Sequence, residues 1–201
     1  MRRIWSVMVA AGLALTLAGP VAAASVGTAP GQNKIVCFDG GGGSGGTCTL
    51  NSSGAKGSAT LNTSTGGAAG VYYVSYNGSI YDVKLSSVSQ LGFNYTGANA
   101  NIDPHFSVPI DTDNDNATDL WAFIPAGKCN NGRGKVDVIG DSTCTIYRSD
   151  NALATYPNWA AFVAAMGPNA VVSFADYLFI IADSSQGIWT VNNVTIGKSG
   201  R

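Results

Sequence analysis

Four aspartates, Asp111, Asp113, Asp115 and Asp119, stand in the stretch DTDNDNATDLW between the apolar runs FSVPI and LWAFI. Calcium takes several hard oxygen ligands at about 2.3–2.6 Å. Alternate side chains on a tightly curved loop converge to supply them. These four fall at positions 1, 3, 5 and 9 of a calcium-loop series. Two positions depart from it. Asn116 stands at position 6, where Gly usually makes the sharp turn, although Asn tolerates positive φ better than most residues. Ala122 stands at position 12 in place of the bidentate Glu, and all 12 acidic residues of the chain are Asp. Carboxylates this close repel one another in a compact loop. A cation relieves the repulsion; so does an open, solvated turn, for which Asp and Asn are equally suited. Two readings therefore stand: an open polar turn linking two strands, which those two departures favour, and a structural Ca²⁺ held by the four aspartates.

Catalytic equipment is sparse. His105 is the only histidine, so a Ser-His-Asp relay has to use it. It follows Asp103-Pro104 at a strand start with no nucleophile-elbow motif nearby. Glycoside hydrolysis uses two carboxyl groups, which here would both be Asp. Asp39, Asp82, Asp137, Asp176 and Asp183 are scattered, and only Asp176 interrupts an apolar run, VVSFADYLFII. No residue is assigned a catalytic role.

Aromatic side chains stack on the apolar C–H faces of sugar rings while amides bond the hydroxyls. Candidates are Tyr72, Tyr76, Tyr81, Trp121, Trp159 and Trp189, in a chain rich in Asn. Trp121 follows the acidic loop and faces opposite Leu120 and Ala122. Tyr72 and Tyr76 share a face in GVYYVSY. Trp121, Tyr72 and Tyr76 are therefore the expected ligand-binding residues, and Trp159 the anchor of a helix.

The segments that would hold these residues alternate strand patterns with turn signals. GSATLNT, GVYYVSY, SIYDVKL, QLGFNYTG, HFSVPI and LWAFI read as strands, with Asn77-Gly78 as a hairpin turn. QLGFNYTG puts Leu91, Phe93 and Tyr95 on one face, the periodicity of a half-buried strand. Pro109 lacks an N–H, which predicts an edge strand or a break. KVDVIGDSTCTIY reads as strand, turn, strand. YPNWAAFVAAM predicts one helix, with Pro157 in an early position and Gly167-Pro168 as its end. VVSFADYLFIIAD is apolar on both faces, as in a buried inner strand, and IWTVNNVTIG closes the chain. Many short strands with a single helix predict an all-β fold, an antiparallel sandwich of jelly-roll-like type.

Two stretches carry a resemblance. FIIADSSQGIWTVNNVTIG, with Trp189, then Asn192-Asn193, then alternating Val194 and Ile196, resembles the last hairpin of secreted jelly-roll modules of the carbohydrate-binding-module type. LSSVSQLGFNYTG resembles an earlier strand of those modules. The resemblance implies a jelly-roll sandwich that binds a polymer. It maps no ligand-binding position onto this chain.

The chain opens MRRIWSVMVAAGLALTLAGPVAAASVG: two arginines, an apolar run, then small residues. This is the layout of a secretory signal peptide. Expected boundaries are a signal peptide at 1–24, a lead-in at 25–34 and one sandwich domain at 35–201. No later segment has the length and apolarity of a spanning helix. Charged residues are 11% of the chain and the formal net charge is −1. Without a basic stripe, nucleic acid and anionic lipid are poor partners. Export favours disulfides among Cys37, Cys48, Cys129 and Cys144. Three pairings exist; short loops favour Cys37–Cys48 and Cys129–Cys144. The Gly-rich run after Cys37 lacks the Lys and Ser/Thr of a phosphate loop. The expected function is an extracellular, non-catalytic module for a glycan or other polymer. The alternatives are an adhesive surface protein with a protein partner, and an Asp-dependent hydrolase.

Overall fold

The computed structural model describes residues 34–40, 45–52, 57–74, 80–97, 102–129, 134–151 and 154–199. The expected signal peptide, and the lead-in up to residue 33, lie outside them. Lys34, the last lead-in residue, already belongs to the first strand.

Among the described residues, thirteen strands and one α-helix follow in chain order: β1 (Lys34–Asp39), β2 (Thr47–Ser52), β3 (Ser58–Asn62), β4 (Ala69–Val74), β5 (Val88–Gly97), β6 (His105–Asp111), β7 (Leu120–Pro125), β8 (Lys135–Asp137), β9 (Ile146–Arg148), β10 (Thr155–Tyr156), α1 (Trp159–Met166), β11 (Val171–Val172), β12 (Phe179–Ala182) and β13 (Ile188–Lys198). They form two antiparallel sheets. The first runs β1-β4-β12-β6-β7-β9-β10, with β11 also pairing β6; the second runs β2-β3-β13-β5-β8. This is the all-β sandwich with one short helix that the alternating patterns predict.

Period-two alternation supplies the core. Val71 and Tyr73 of β4, Ile180 and Ala182 of β12, Phe106, Val108 and Ile110 of β6, and Leu120, Ala122 and Ile124 of β7 are buried from the first sheet. Leu61, Phe93, Tyr95, Trp189 and Val191 meet them from the second. Phe93 and Phe106 interlock edge to face across the layers, ring centroids 4.9 Å apart. Each such side chain contributes roughly 1.5–3 kcal/mol on burial. Cys37 on β1 is bridged to Cys48 on β2, joining the edges of the two sheets. Cys129 is bridged to Cys144, between the end of β7 and the start of β9.

Four local readings change. The described part of SIYDVKL, from Ile80 on, is not a strand: Asp82 sits at φ 60, Lys84 makes an isolated bridge to Val171, and Leu85–Ser87 is a 3-10 turn. A residue at positive φ interrupts the extended backbone that a strand needs. Pro109 is in a central strand, between β7 and the β11/β12 side. β12 covers β6 at residues 105–107 and β11 covers it at 110–111. Pro109 falls in the gap between them, where only its carbonyl is used, accepting from Ser173 N. VVSFADYLFIIAD is two strands separated by residues 173–178, in which Phe174 and Tyr177 are 68% and 58% exposed. Pro157 precedes the helix; Asn158 is its cap, accepting from Ala161 N at 2.9 Å. Trp159 and Phe162 are the buried helix residues, and the indole N–H of Trp159 donates to the Leu85 carbonyl.

Candidate functional site

Five aromatic side chains on the outward side of the first sheet form a continuous row. Phe38 of β1 stacks on Tyr72 of β4, centroids 4.3 Å apart. Phe179 of β12 meets Tyr72 edge-on at 6.0 Å and Phe38 at 5.7 Å. Trp121 of β7 lies 5.0 Å from Phe179. Tyr177, on the loop before β12, flanks Tyr72 at 5.4 Å. All are partly accessible. Strand pairing explains the alignment: Tyr72 is the register partner of Phe179, Phe179 of Ser107, and Trp121 of Pro109. On β6 the row passes over the small residues Ser107 and Pro109, so Phe179 and Trp121 meet above them. The Ser107 hydroxyl beneath is buried without a hydrogen-bond partner. From β1 to β7 is four strand steps, about 19 Å at the usual spacing.

Of the expected ligand residues, Trp121 and Tyr72 are brought into this one row, linked through Phe179. Tyr76 lies outside the described residues. Phe38, Tyr177 and Phe179 were not among the expected residues. Phe38 carried a signal, since it alternates with Ile35 and Cys37. Phe179 was hidden in a run that is apolar at every position. Of the other aromatics, Trp159 and Trp189 are core. The Tyr81 hydroxyl donates to the Tyr73 carbonyl and accepts from Leu178 N.

The aspartate loop joins β6 to β7, two residues before Trp121. Asp111 is buried, and its carboxylate accepts from the backbone N–H groups of Asn114 at 2.6 Å, Asp115 at 3.3 Å and Asn116 at 2.8 Å. Positive φ at Asn114 and Asn116 curls the chain around it. Oxygens of Asp111, Asp113 and Asp115 converge within 4.8 Å of one another. The Asp113 carboxyl is raised above its ordinary range, chiefly by repulsion from Asp115. Asp119 does something else. It accepts from both the amide and the hydroxyl of Thr112, which holds its carboxyl below the usual range. Three of the four expected ligands therefore converge, and the fourth closes the hairpin. Beside the loop an open polar cleft of about 590 Å³ is lined by Asp82, Lys84, Asp113, Asn114, Asn116, Asn169 and Val171.

His105 is buried at the start of β6, its Nδ1 3.1 Å from Asp103 Oδ1, and no serine hydroxyl bonds to it among the described residues. The scattered aspartates go to separate places. Asp39 accepts from Cys48 N and Asp137 from Gly140 N, Asp82 lines the polar cleft, and Asp176 is on the 173–178 loop. Asp183 is 4.0 Å from His105. Comparison with protein families, curated proteins and solved structures finds no match.

Proposed function

We propose that this chain is an exported, non-catalytic binding module whose ligand is an extracellular polysaccharide laid across the outer face of the first sheet. The observation that carries this reading is the row Phe38–Tyr72–Phe179–Trp121, four aromatic side chains from four strands held partly in solvent. Apolar groups left in water are costly unless a partner covers them. A row of rings offers repeated stacking positions to a polymer that presents repeated apolar faces. The Tyr72 and Tyr177 hydroxyls and the nearby Ser149, whose hydroxyl accepts from Trp121 N, add polar groups at the margins. Two disulfides fit an oxidising compartment, and no helix among the described residues is long and apolar enough to cross a membrane.

Calcium belongs to the same proposal. Asp111, Asp113 and Asp115 would hold it at the end of the β6–β7 hairpin and so fix the backbone that leads into Trp121. The test is retention of the purified chain on insoluble polysaccharides, with calcium and with chelator. Retention on at least one polymer, weakened on substitution of Trp121, supports the reading; no retention on any polymer, or retention indifferent to Trp121, overturns it. Phe38 and Phe179 lack a polar tip, which favours a protein partner as the second reading. That reading gains if the row substitutions change only protein capture.

A further inference from the structure

We propose that Asp103, His105 and Asp183 form a second metal site, separate from the aspartate loop, for a divalent ion of the zinc type. The three come from two segments that are far apart in sequence. Asp103 and His105 enter β6; Asp183 follows β12 where the chain crosses to the second sheet and β13. Their donor atoms lie within 4.8 Å of one another. His105 Nδ1 is 3.1 Å from Asp103 Oδ1 and 4.0 Å from Asp183 Oδ1. A tetrahedral ion with bonds of about 2.0–2.2 Å spaces its donors about 3.3–3.6 Å apart. The observed spacings bracket that value, so a small rotation of the partly exposed Asp183 completes the geometry.

The donors are also pre-oriented. Asp103 is fully buried, and its Oδ2 accepts from Ser184 N at 2.8 Å and Ser185 N at 2.5 Å, leaving Oδ1 toward the imidazole. Asp183 Oδ1 accepts from the Ser184 hydroxyl at 2.8 Å. The Phe123 ring stands perpendicular to the His105 ring, centroids 5.8 Å apart. Such supporting contacts fix ligand orientation in metal sites. One imidazole and two carboxylates match zinc in ligand type, and the ion takes the place of the proton that His105 Nδ1 and Asp103 Oδ1 share, which is released to solvent. The ion would pin the crossover, whose far side is already tied down by Thr63: its hydroxyl donates to the Ser185 carbonyl at 2.7 Å and accepts from Gly187 N at 3.2 Å.

Titration of the whole chain with Zn²⁺ by calorimetry, and with Co²⁺ by visible absorption, tests this. The expected result is one site whose zinc affinity falls at least tenfold in both Asp183→Asn and His105→Asn but is unchanged in Asp113→Asn. Asp183 is accessible, so its Asn variant keeps the fold, and cobalt bound at the site gives the intense visible bands of tetrahedral coordination. No zinc binding, or binding lost in Asp113→Asn but kept in Asp183→Asn, overturns the proposal. Loss of polysaccharide retention alone does not bear on it.

Discussion

The ring of Phe38 lies directly over Gly70 of the neighbouring strand. The two are register partners, and a Cβ at Gly70 would strike the ring and stand 2.6 Å from the Ile180 carbonyl oxygen. A glycine here lets a phenyl ring lie flat on the sheet and stack on Tyr72. Gly70→Ala therefore pushes the ring outward and strains the β4–β12 pairing. The expected cost is about 1–3 kcal/mol of stability, seen as a lower thermal midpoint, together with weaker polysaccharide retention. Phe38→Ala is the control: it removes the ring without the clash and loses retention while keeping more stability.

Trp121→Ala and Tyr72→Ala test the row at its other positions. Trp121 is partly exposed and makes its hydrogen bonds through the backbone, with Ser149, so the fold survives its loss. An aromatic contact is worth about 0.5–1.5 kcal/mol beyond burial, and 1.4 kcal/mol is tenfold in affinity. Each single change should weaken binding by roughly three- to tenfold, measured by depletion isotherms. An unchanged isotherm for Trp121→Ala would remove the row from the ligand site.

For calcium the informative variant is Asp113→Asn. Repulsion from Asp115 raises the Asp113 carboxyl, so its ionised form is disfavoured in the loop. Removing that charge should leave the midpoint in chelator unchanged or slightly higher. The same change removes a ligand. At calcium 100-fold above its dissociation constant, wild type should gain about 2.7 kcal/mol, or about 5–11 °C for a chain of this size, and the variant should gain far less. A wild-type midpoint indifferent to calcium would leave the loop as a polar turn.

The sheets were legible because half-buried strands write their period into the sequence. Leu91, Phe93 and Tyr95, or Leu120, Ala122 and Ile124, alternate with residues that face out. Where that period failed, reading failed for physical reasons. At β12 both faces are covered, the inner by the core and the outer by neighbouring rings, so Phe179 could not be told from a core residue. At Asp82 the backbone turns through positive φ inside a sequence of good strand formers. Pro109 sits in the one gap of its neighbour strands, which depends on where β11 and β12 end. The site was half legible: Trp121 and Tyr72 could be picked by type and face, but their adjacency depends on the order β4-β12-β6-β7, which no local pattern encodes. The convergence of Asp103 with Asp183 depends on the same long-range order.

Asp103 carries an acid-sensitive part of the stability. Burial alone would raise its carboxyl, but the hydrogen bond and charge of His105 and the amides of Ser184 and Ser185 outweigh burial and hold it below the usual range. A carboxylate lowered on folding stabilises above its unfolded value, near pH 3.9, and that contribution is lost as pH falls through the folded value. Asp103→Asn should cost about 3 kcal/mol at neutral pH. The gap between variant and wild type should narrow below about pH 3.9. A gap of constant size across that range in chemical denaturation would mean that the charge is not what matters.

The two disulfides should separate stability from binding. Each closes a short loop, 11 residues for Cys37–Cys48 and 15 for Cys129–Cys144, and removing either should cost about 2–4 kcal/mol. Their positions differ. Cys37 immediately precedes Phe38 on the edge strand β1, and its bridge ties that edge to β2 of the opposite sheet. Cys129 and Cys144 are buried, and their bridge lies beyond the far end of β7, eight residues after Trp121 and away from Phe38, Tyr72 and Phe179. Cys37→Ser with Cys48→Ser should thus loosen the Phe38 end and weaken polysaccharide binding as well as lower the midpoint. Cys129→Ser with Cys144→Ser should lower the midpoint by a similar amount and leave binding, measured well below the melt, unchanged. If both pairs reduce binding equally, affinity follows global stability and the row has no privileged place; if only the first does, the edge of the first sheet is where the ligand makes contact.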